Sequence, residues 1–412
     1  MQVEILGINF QGDGYGIINK KKVIIPKTCK GDLVEFKIIK ENKDFIFGKL
    51  VKILQKSNER VDNVICPIYD TCGGCNLLHL KEDIYRQFKI AIIHDTLKKS
   101  GYTLDNVNLI SIGYNSRRRA TFKVKNNKIG FFEKNSNNLV DVQNCPLITK
   151  NINDLIPQLS QLVKKILIDE ISITEYENGI ELLLVLRKNP DLNENKILKS
   201  FIEQNEDIIV ISYEIKDEEP YLFFQKVAPV LTFDNGVKLE LDSNIFIQAT
   251  LDGQKAITNI VVDNLKNCKN ILDLYCGIGT YSFPLSTYTK VHSVEGSQRM
   301  IDILNRNIRN NKLSSRITTE CRNLVSSPLL KNELNEYDGI VINPPRNGAK
   351  AQCQQIAKSN IKNIVMVSCN PQTFAIDANE LRLAGYNLEE LTGIDQFYKT
   401  QHLEVVGVFR KK

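Results

Sequence analysis

Short runs of alternating apolar and polar residues mark the first 55 positions, at 3–6, 15–18, 23–26, 33–39 and 45–53, with Gly, Asn, Asp and Lys in the breaks. A period of two with turn-forming interruptions predicts strands, and five of them in so short a span predict a small closed barrel of the oligonucleotide-binding type. Positions 61–80 show no period and carry Cys66, Cys72 and Cys75. Over 81–100 the apolar residues Ile84, Phe88, Ala91, Ile92 and Leu97 fall near one face of a helix. From 110 to about 245 strand-like pieces at 121–124, 180–186 and 208–213 occur in an order the pattern does not reveal. From 251 onward apolar strands at 270–274, 290–294, 339–342, 363–367 and 403–409 alternate with helical stretches, which predicts a doubly wound α/β domain. The expected division is a barrel over 1–55, a central mixed α+β domain over 56–245, and an α/β domain over 246–412, with helix 81–100 a candidate to pack on the last.

Composition narrows the class. Hydrophobic residues make up 42% and charged residues 25% of the 412, as in an ordinary globular protein. No apolar run reaches the roughly 18 residues of a membrane span. The opening MQVEILGINFQGDG has no basic stretch followed by an apolar one, so no secretory signal is expected and the expected location is cytoplasmic. The net charge of +6 is uneven: residues 1–60 hold 12 Lys and Arg against 7 Asp and Glu. A basic module on a near-neutral remainder points to a polyanion, although lysines also serve as plain solvated surface.

The segment ILDLYCGIGTYSFPLS is an apolar strand, a glycine turn (Cys276-Gly277-Ile278-Gly279) and a helical stretch. Glycines here let the backbone approach a ligand at the carboxyl end of the strand. Ser282 stands where a dinucleotide fingerprint needs its third glycine, which disfavours a nicotinamide cofactor. Asp273 ends that strand and Glu295 ends the next, placing a carboxylate where it can hold ribose hydroxyls. The bland alternative is an α/β turn with charged strand ends. With these features the chain resembles the class I (Rossmann-like) S-adenosylmethionine methyltransferases. That resemblance implies that Tyr275, Thr280 and Asn323 join Glu295 around the cofactor.

Further on, VINPPRNGA follows a strand, IVMVSCNPQTF ends a strand at Cys369, and IDQFYKTQHLEVVGVF carries His402 and Glu404. A cysteine at a strand end facing a methyl donor, with a carboxylate nearby, suits methylation of uracil carbon 5. A thiolate adding to carbon 6 makes carbon 5 nucleophilic, and a base must then remove the carbon 5 proton before the thiolate can leave. Taken alone, Cys369 reads as one more inert buried cysteine. Together the S-C-N-P, N-P-P-R and H-x-E segments resemble the bacterial RNA 5-methyluridine methyltransferase family over nearly the whole chain. The resemblance implies Cys369 as nucleophile, Glu404 as proton acceptor, and Gln248, in NIFIQAT, as a cofactor contact. Two positions depart from the family pattern: Asn343, at a position the resemblance places among the cofactor contacts, replaces the usual Asp before Pro-Pro-Arg, and Thr250 replaces an Asn. Asn-Pro-Pro is also a mark of enzymes that methylate base amines, but those have an aromatic residue where this chain has Arg346 and need no cysteine.

Cys66, Cys72, Cys75 and the more distant Cys145 form a possible thiolate set for zinc or an iron–sulfur cluster. Their spacing differs from that of radical enzymes, and spacing alone leaves the two metals open. The family resemblance implies a [4Fe–4S] cluster on these four, making the central region an iron–sulfur domain and the barrel a TRAM domain. Such a cluster would pin 61–80 to the 110–150 region, where Arg117, Arg118 and Arg119 could meet phosphate. Cys29, Cys268, Cys276, Cys321 and Cys353 are scattered and read as structural. The expected activity is S-adenosylmethionine-dependent methylation of a uridine in RNA, in 23S rRNA ahead of tRNA, by a monomer without membrane attachment. The competing readings are a base-amine methyltransferase and an RNA-binding protein that has lost activity.

Overall fold

The computed structural model describes residues 1–215 and 218–411. Its N-terminal sheet has six strands in the order Gln2–Glu4, Leu33–Glu41, Phe45–Gln55, Lys21–Pro26, Asp13–Ile18 and Gly7–Ile8. The two end members are consecutive in the chain, so the sheet curls until it meets itself. Closure is carried by Leu6 N–H donating to the Tyr15 carbonyl at 2.8 Å on one side and Phe36 N–H to the Met1 carbonyl at 2.8 Å on the other. Gly16 permits this close approach, since a Cβ there would stand 2.5 Å from the Glu4 carbonyl oxygen. Alternation turns Val3, Val23, Ile25, Val34, Phe36 and Ile46 inward to form the barrel core. The strand beyond the expected five is Gly7–Ile8, two residues long and too short to show a period.

The central sheet has seven strands in the order Leu139–Asp141, Lys128–Phe132, Arg119–Lys125, Ile168–Tyr176, Gly179–Leu186, Ile208–Ile215 and Tyr221–Gln225. All pairs are antiparallel except Gly179–Leu186 with Ile208–Ile215, which the helix Leu192–Glu203 joins by a crossover. Helix Lys150–Leu162 turns Ile152, Leu155, Ile156, Leu159 and Leu162 into the core of this layer.

The C-terminal sheet has eight strands. Ile317–Cys321, Lys290–Glu295, Asn270–Leu274, Gly339–Ile342 and Asn363–Ser368 run parallel, followed by Glu404–Arg410, Asn387–Asp395 and Asn108–Ser111. Glu404–Arg410 is antiparallel to both its neighbours. The chain winds outward from Asn270–Leu274 in one direction and restarts at Gly339–Ile342 in the other. The crevice at the carboxyl ends of these two strands is therefore the topological switch point, where open α/β sheets take their ligands.

The span 56–245 is not one body. Strand Asn108–Ser111 extends the C-terminal sheet by pairing with Asn387–Asp395, and helix Glu82–Ser100 buries Tyr85, Phe88, Ile92, Ile93 and Leu97 in that domain's core. Of the residues expected on the helix's apolar face, Ala91 is exposed and Ile84 half-buried. The face that is covered includes Lys89, fully buried, whose ammonium lies 2.8 Å from the equally buried Asp395 carboxylate. A buried lysine reads as polar in the sequence and so shifts the apparent stripe. Among the described residues no helix is long and apolar enough to cross a membrane.

Candidate active site

One cavity of about 1200 Å³ opens at the switch point. It takes its walls from the loops after Asn270–Leu274, Lys290–Glu295, Gly339–Ile342 and Asn363–Ser368, from the segment 246–249, and from the cysteine-rich loop. Every residue singled out above as catalytic, cofactor-binding or metal-ligating lines it: Cys369 and Glu404; Gln248, Tyr275, Thr280, Glu295, Asn323 and Asn343; Cys66, Cys72, Cys75 and Cys145.

The glycine turn is shaped by backbone conformation. Tyr275 holds φ +59°, and Gly277 and Gly279 hold +55° and +87°. A side chain on Gly279 would also collide with Leu304 and Phe283, at 2.7 and 2.9 Å. A non-glycine residue in the left-handed region costs energy that the surrounding fold must supply, and such positions gather at ligand sites. Glu295 is anchored by two backbone donors, Gly277 N–H at 3.1 Å and Ser297 N–H at 3.0 Å, which leaves lone pairs on both oxygens for hydroxyl donors. Asn323 accepts from Val325 and Ser326 N–H at 3.0 and 3.2 Å, a turn that presents it to the cavity. Asp273 does not reach the cavity. It is fully buried, receives the Ser282 hydroxyl at 2.6 Å, and burial pushes its carboxyl up to about 7. Ser282, where a third glycine was sought, braces this turn.

S-C-N-P is a strand-to-helix junction. Strand Asn363–Ser368 ends, Cys369 follows, Asn370 caps the next helix by accepting from Gln372 N–H at 3.1 Å, and Pro371 opens that helix where its missing N–H costs nothing. The Asn370 amide also donates to the Arg346 carbonyl at 3.1 Å, and the Thr373 hydroxyl does so at 3.2 Å, which sets the Pro-Pro-Arg loop beside the thiol. Burial raises the Cys369 pKa and the neighbouring Glu404 raises it further, while the Arg346 guanidinium lowers it. Glu404 opens the strand that pairs with Asn363–Ser368, with Ser368 opposite Val405, so thiol and carboxyl come from adjacent strand ends. Burial pushes the Glu404 carboxyl up to about 7, against a hydrogen bond from Gln396 and the charge of Arg346. His402 lines the same wall, its pKa lowered first by burial and then by Arg346.

Gln248 accepts from the Gln396 amide at 2.9 Å. Thr250, one of the two departures, caps helix Leu251–Leu265 by accepting from Gly253 N–H at 3.0 Å, a service that Asn and Thr both perform. Asn343, the other, donates to the Tyr281 hydroxyl at 3.4 Å. The three arginines divide. Arg118 is buried, with its guanidinium spent on the Gln248 carbonyl at 3.0 Å and the Gln254 side chain at 2.7 Å, so it braces the segment 246–249 instead of meeting phosphate. Arg117 and Arg119 line the cavity, and Arg119 stacks on the exposed Phe246 ring at 4.6 Å.

The cysteine loop is held from two sides. The Lys27 ammonium of the barrel donates to the Tyr69, Asp70 and Cys72 carbonyls at 2.5–3.0 Å, and Gly73 N–H donates to the Phe132 carbonyl at 2.9 Å. Cys145 is fixed by Asn153, which accepts from its N–H at 2.8 Å and donates to its carbonyl at 2.9 Å. The four sulfurs come near enough for charge on Cys145, Cys72 or Cys66 to raise the Cys75 pKa, after the larger effect of burial. Gly74 N–H donates to the Cys72 sulfur at 3.4 Å; burial raises the Cys145 pKa, and the Leu147 and Ile148 N–H groups oppose that rise. Among the described residues no three His, Cys, Asp or Glu side chains are gathered tightly enough to hold a single metal ion.

Sequence reading passed over Gln396, Tyr281 and the cavity-lining role of Arg346. Only Arg346 left a signal, as the charged residue after the paired prolines.

A switch-point cavity with a strained glycine loop and an acidic second strand end is the site of a class I methyltransferase-type fold, here carried behind a small closed barrel. Residues 107–412 match the family described as tRNA (Uracil-5-)-methyltransferase, and residues 1–51 match the TRAM domain. The chain belongs to that family of RNA uracil-C5 methyltransferases. It is 32% identical to an uncharacterized RNA methyltransferase of Caulobacter vibrioides, over 99% of both chains. It is 28% identical to the 23S rRNA (uracil(1939)-C(5))-methyltransferase RlmD of Histophilus somni, over 98% of this chain and 94% of that one. The crystal structure of Pyrococcus abyssi tRNA (uracil-54, C5)-methyltransferase in complex with S-adenosyl-L-homocysteine has the same fold, with a TM-score of 0.78 at 21% identity, over 99% of this chain and 100% of that one.

Proposed function

We propose that this enzyme methylates carbon 5 of a uridine in 23S rRNA, with Cys369 as covalent nucleophile and Glu404 as proton acceptor. The observation that carries the reading is the pairing of these two groups at adjacent strand ends, in the cavity that also holds the glycine turn and Glu295. S-adenosylmethionine supplies the methyl group. Glu295 is suited to its ribose hydroxyls, and Tyr275, Thr280, Asn323, Asn343 and Gln248 line the rest of the space. The target base leaves its stack to reach the strand ends. Arg346 favours the thiolate of Cys369, which adds to carbon 6. After carbon 5 has taken the methyl, Glu404 removes its proton and the thiolate departs. Large-subunit rRNA is preferred over tRNA because whole-length relatives, those of Histophilus somni and Shewanella halifaxensis, are named for it. The amine-methylating alternative rests on Asn343 alone and runs against the family.

The four cysteines would hold a [4Fe–4S] cluster. Backbone N–H groups directed at Cys72 and Cys145, and the Lys27 ammonium close by, suit a group that leaves negative charge on its sulfurs. Its contribution would be to tie the cysteine loop to the segment around Cys145.

The test is trapping. RNA carrying 5-fluorouridine at the target leaves no proton to remove, so a methylated, denaturation-resistant protein–RNA complex should accumulate. Glu404→Gln should trap ordinary RNA in the same way, and Cys369→Ala should abolish both adducts. Absence of the adduct under conditions where ordinary RNA is methylated would defeat the covalent mechanism. Offering 23S rRNA and tRNA in parallel decides the substrate.

A further inference from the structure

Gln396 follows the last residue of strand Asn387–Asp395 and is 2% exposed. Its single amide nitrogen makes two hydrogen bonds, to the Glu404 carboxylate at 2.8 Å and to the Gln248 side-chain oxygen at 2.9 Å. The amide cannot be turned round without loss. Its oxygen would then face the Gln248 oxygen and an ionised carboxylate, which are both acceptors. Gly253 makes room for the present orientation, since a Cβ there would stand 2.9 Å from the Gln396 Cβ and 3.0 Å from its oxygen. The preceding residue, Asp395, is locked by Lys89 at 2.8 Å and by the Tyr85 hydroxyl at 2.6 Å, so the backbone that delivers Gln396 is fixed from the helix behind the sheet.

We propose that Gln396 is a positioning residue for the proton-removal step, one amide nitrogen favouring the ionised Glu404 carboxylate and aiming it while tying it to Gln248 on the methyl-donor side of the cavity. The proposal rests on the covalent reading above. In the step concerned the C5–H bond breaks, the proton passes to Glu404, the electron pair re-forms the C5–C6 double bond, and the Cys369 thiolate leaves carbon 6. A donor hydrogen bond favours the ionised carboxylate, which is the form that can accept that proton. The other titratable groups facing Glu404 are Arg346 from the Pro-Pro-Arg loop, which favours ionisation, and Cys369 at a neighbouring strand end and Tyr281 after the glycine turn, which oppose it when charged. Arg346 also serves the thiol, whereas Gln396 donates to the carboxylate and to Gln248.

Two full-length variants test this. Gln396→Met keeps the volume and removes the donor. Gln396→Glu keeps size and polarity and sets a like charge beside Glu404. Turnover at pH 7 should fall about 10-fold or more in both, as expected when a general base is mistuned. The acid limb of the pH profile should move to higher pH, further for Gln396→Glu, and the covalent complex with ordinary RNA should become long-lived. Trapping by 5-fluorouridine RNA, which needs no proton removal, should proceed at the wild-type rate and reports an intact fold. If both variants trap the fluorinated RNA yet keep the wild-type acid limb and leave no lasting adduct on ordinary RNA, Gln396 is packing and the proposal falls. If the wild-type enzyme itself traps no fluorinated RNA, it is the covalent mechanism that has failed, and the role of Gln396 in it falls with it.

Discussion

Replacing Lys89 by Met would leave the Asp395 carboxylate alone in the C-terminal core. Both side chains are wholly shielded from solvent, and their charged groups lie 2.8 Å apart. Burial pulls the lysine pKa down and pushes the aspartate pKa up, and each partner counters the shift in the other. The ammonium also donates to the His402 carbonyl, two residues before Glu404. Removing one partner of a buried ion pair costs about 3–5 kcal/mol, because the survivor's desolvation is no longer offset. At roughly 2 °C per kcal/mol for a body of this size, the melting temperature should drop by about 6–10 °C. The loss should be smaller at pH 5 than at pH 8, since Asp395 without its lysine escapes part of the cost by taking up a proton. Lys89→Met with Asp395→Leu should recover most of the stability, short by about 1 kcal/mol for the Tyr85 hydroxyl left without its acceptor. Thermal and urea unfolding of the parent, both single variants and the double variant form the cycle. A Lys89→Met protein within about 1 kcal/mol of the parent, or a double variant no better than the single one, would mean that the buried pair does not hold this part of the core.

Other expectations follow from the site. Glu404 must be ionised to accept a proton and its carboxyl is pushed up to about 7, so release of free methylated RNA in a single turnover, which waits on proton removal, should rise as pH increases through that value. A flat profile from pH 6 to 8 would mean that proton removal is assigned to the wrong group. Anaerobically purified protein should be brown and contain iron and acid-labile sulfide, both lost in Cys72→Ala; a colourless parent with one zinc per chain would end the cluster assignment. Glu295→Ala should weaken S-adenosylmethionine binding by about 1–3 kcal/mol through the lost ribose hydrogen bonds, and unchanged affinity by calorimetry would mean that this carboxylate does not hold the ribose. Deleting residues 1–55 should weaken RNA binding and flatten its salt dependence, because the basic barrel would release fewer counterions; an unchanged slope would remove the barrel from the RNA interface.

Local chemistry was legible in the sequence. The barrel strands and the α/β alternation follow from which positions prefer water. S-C-N-P announces a strand end, a cap and a helix start, because each residue type suits its own place in that junction. The glycine turn and Glu295 were visible for the same reason. What depends on elements far apart in the chain was not. Gln396 reads as one more polar loop residue until strand Asn387–Asp395 sets it between Glu404 and Gln248. Lys89 reads as solvated helix surface until Asp395, some 300 residues later, meets it inside the core. Arg118 looks like its two neighbours, yet only the docking of segment 246–249 turns it inward. The central sheet order and the capture of strand Asn108–Ser111 by the C-terminal sheet belong to the same group. Alternation tells which face of a strand is apolar, whereas the choice of pairing partner is made by which apolar faces can be buried together in three dimensions.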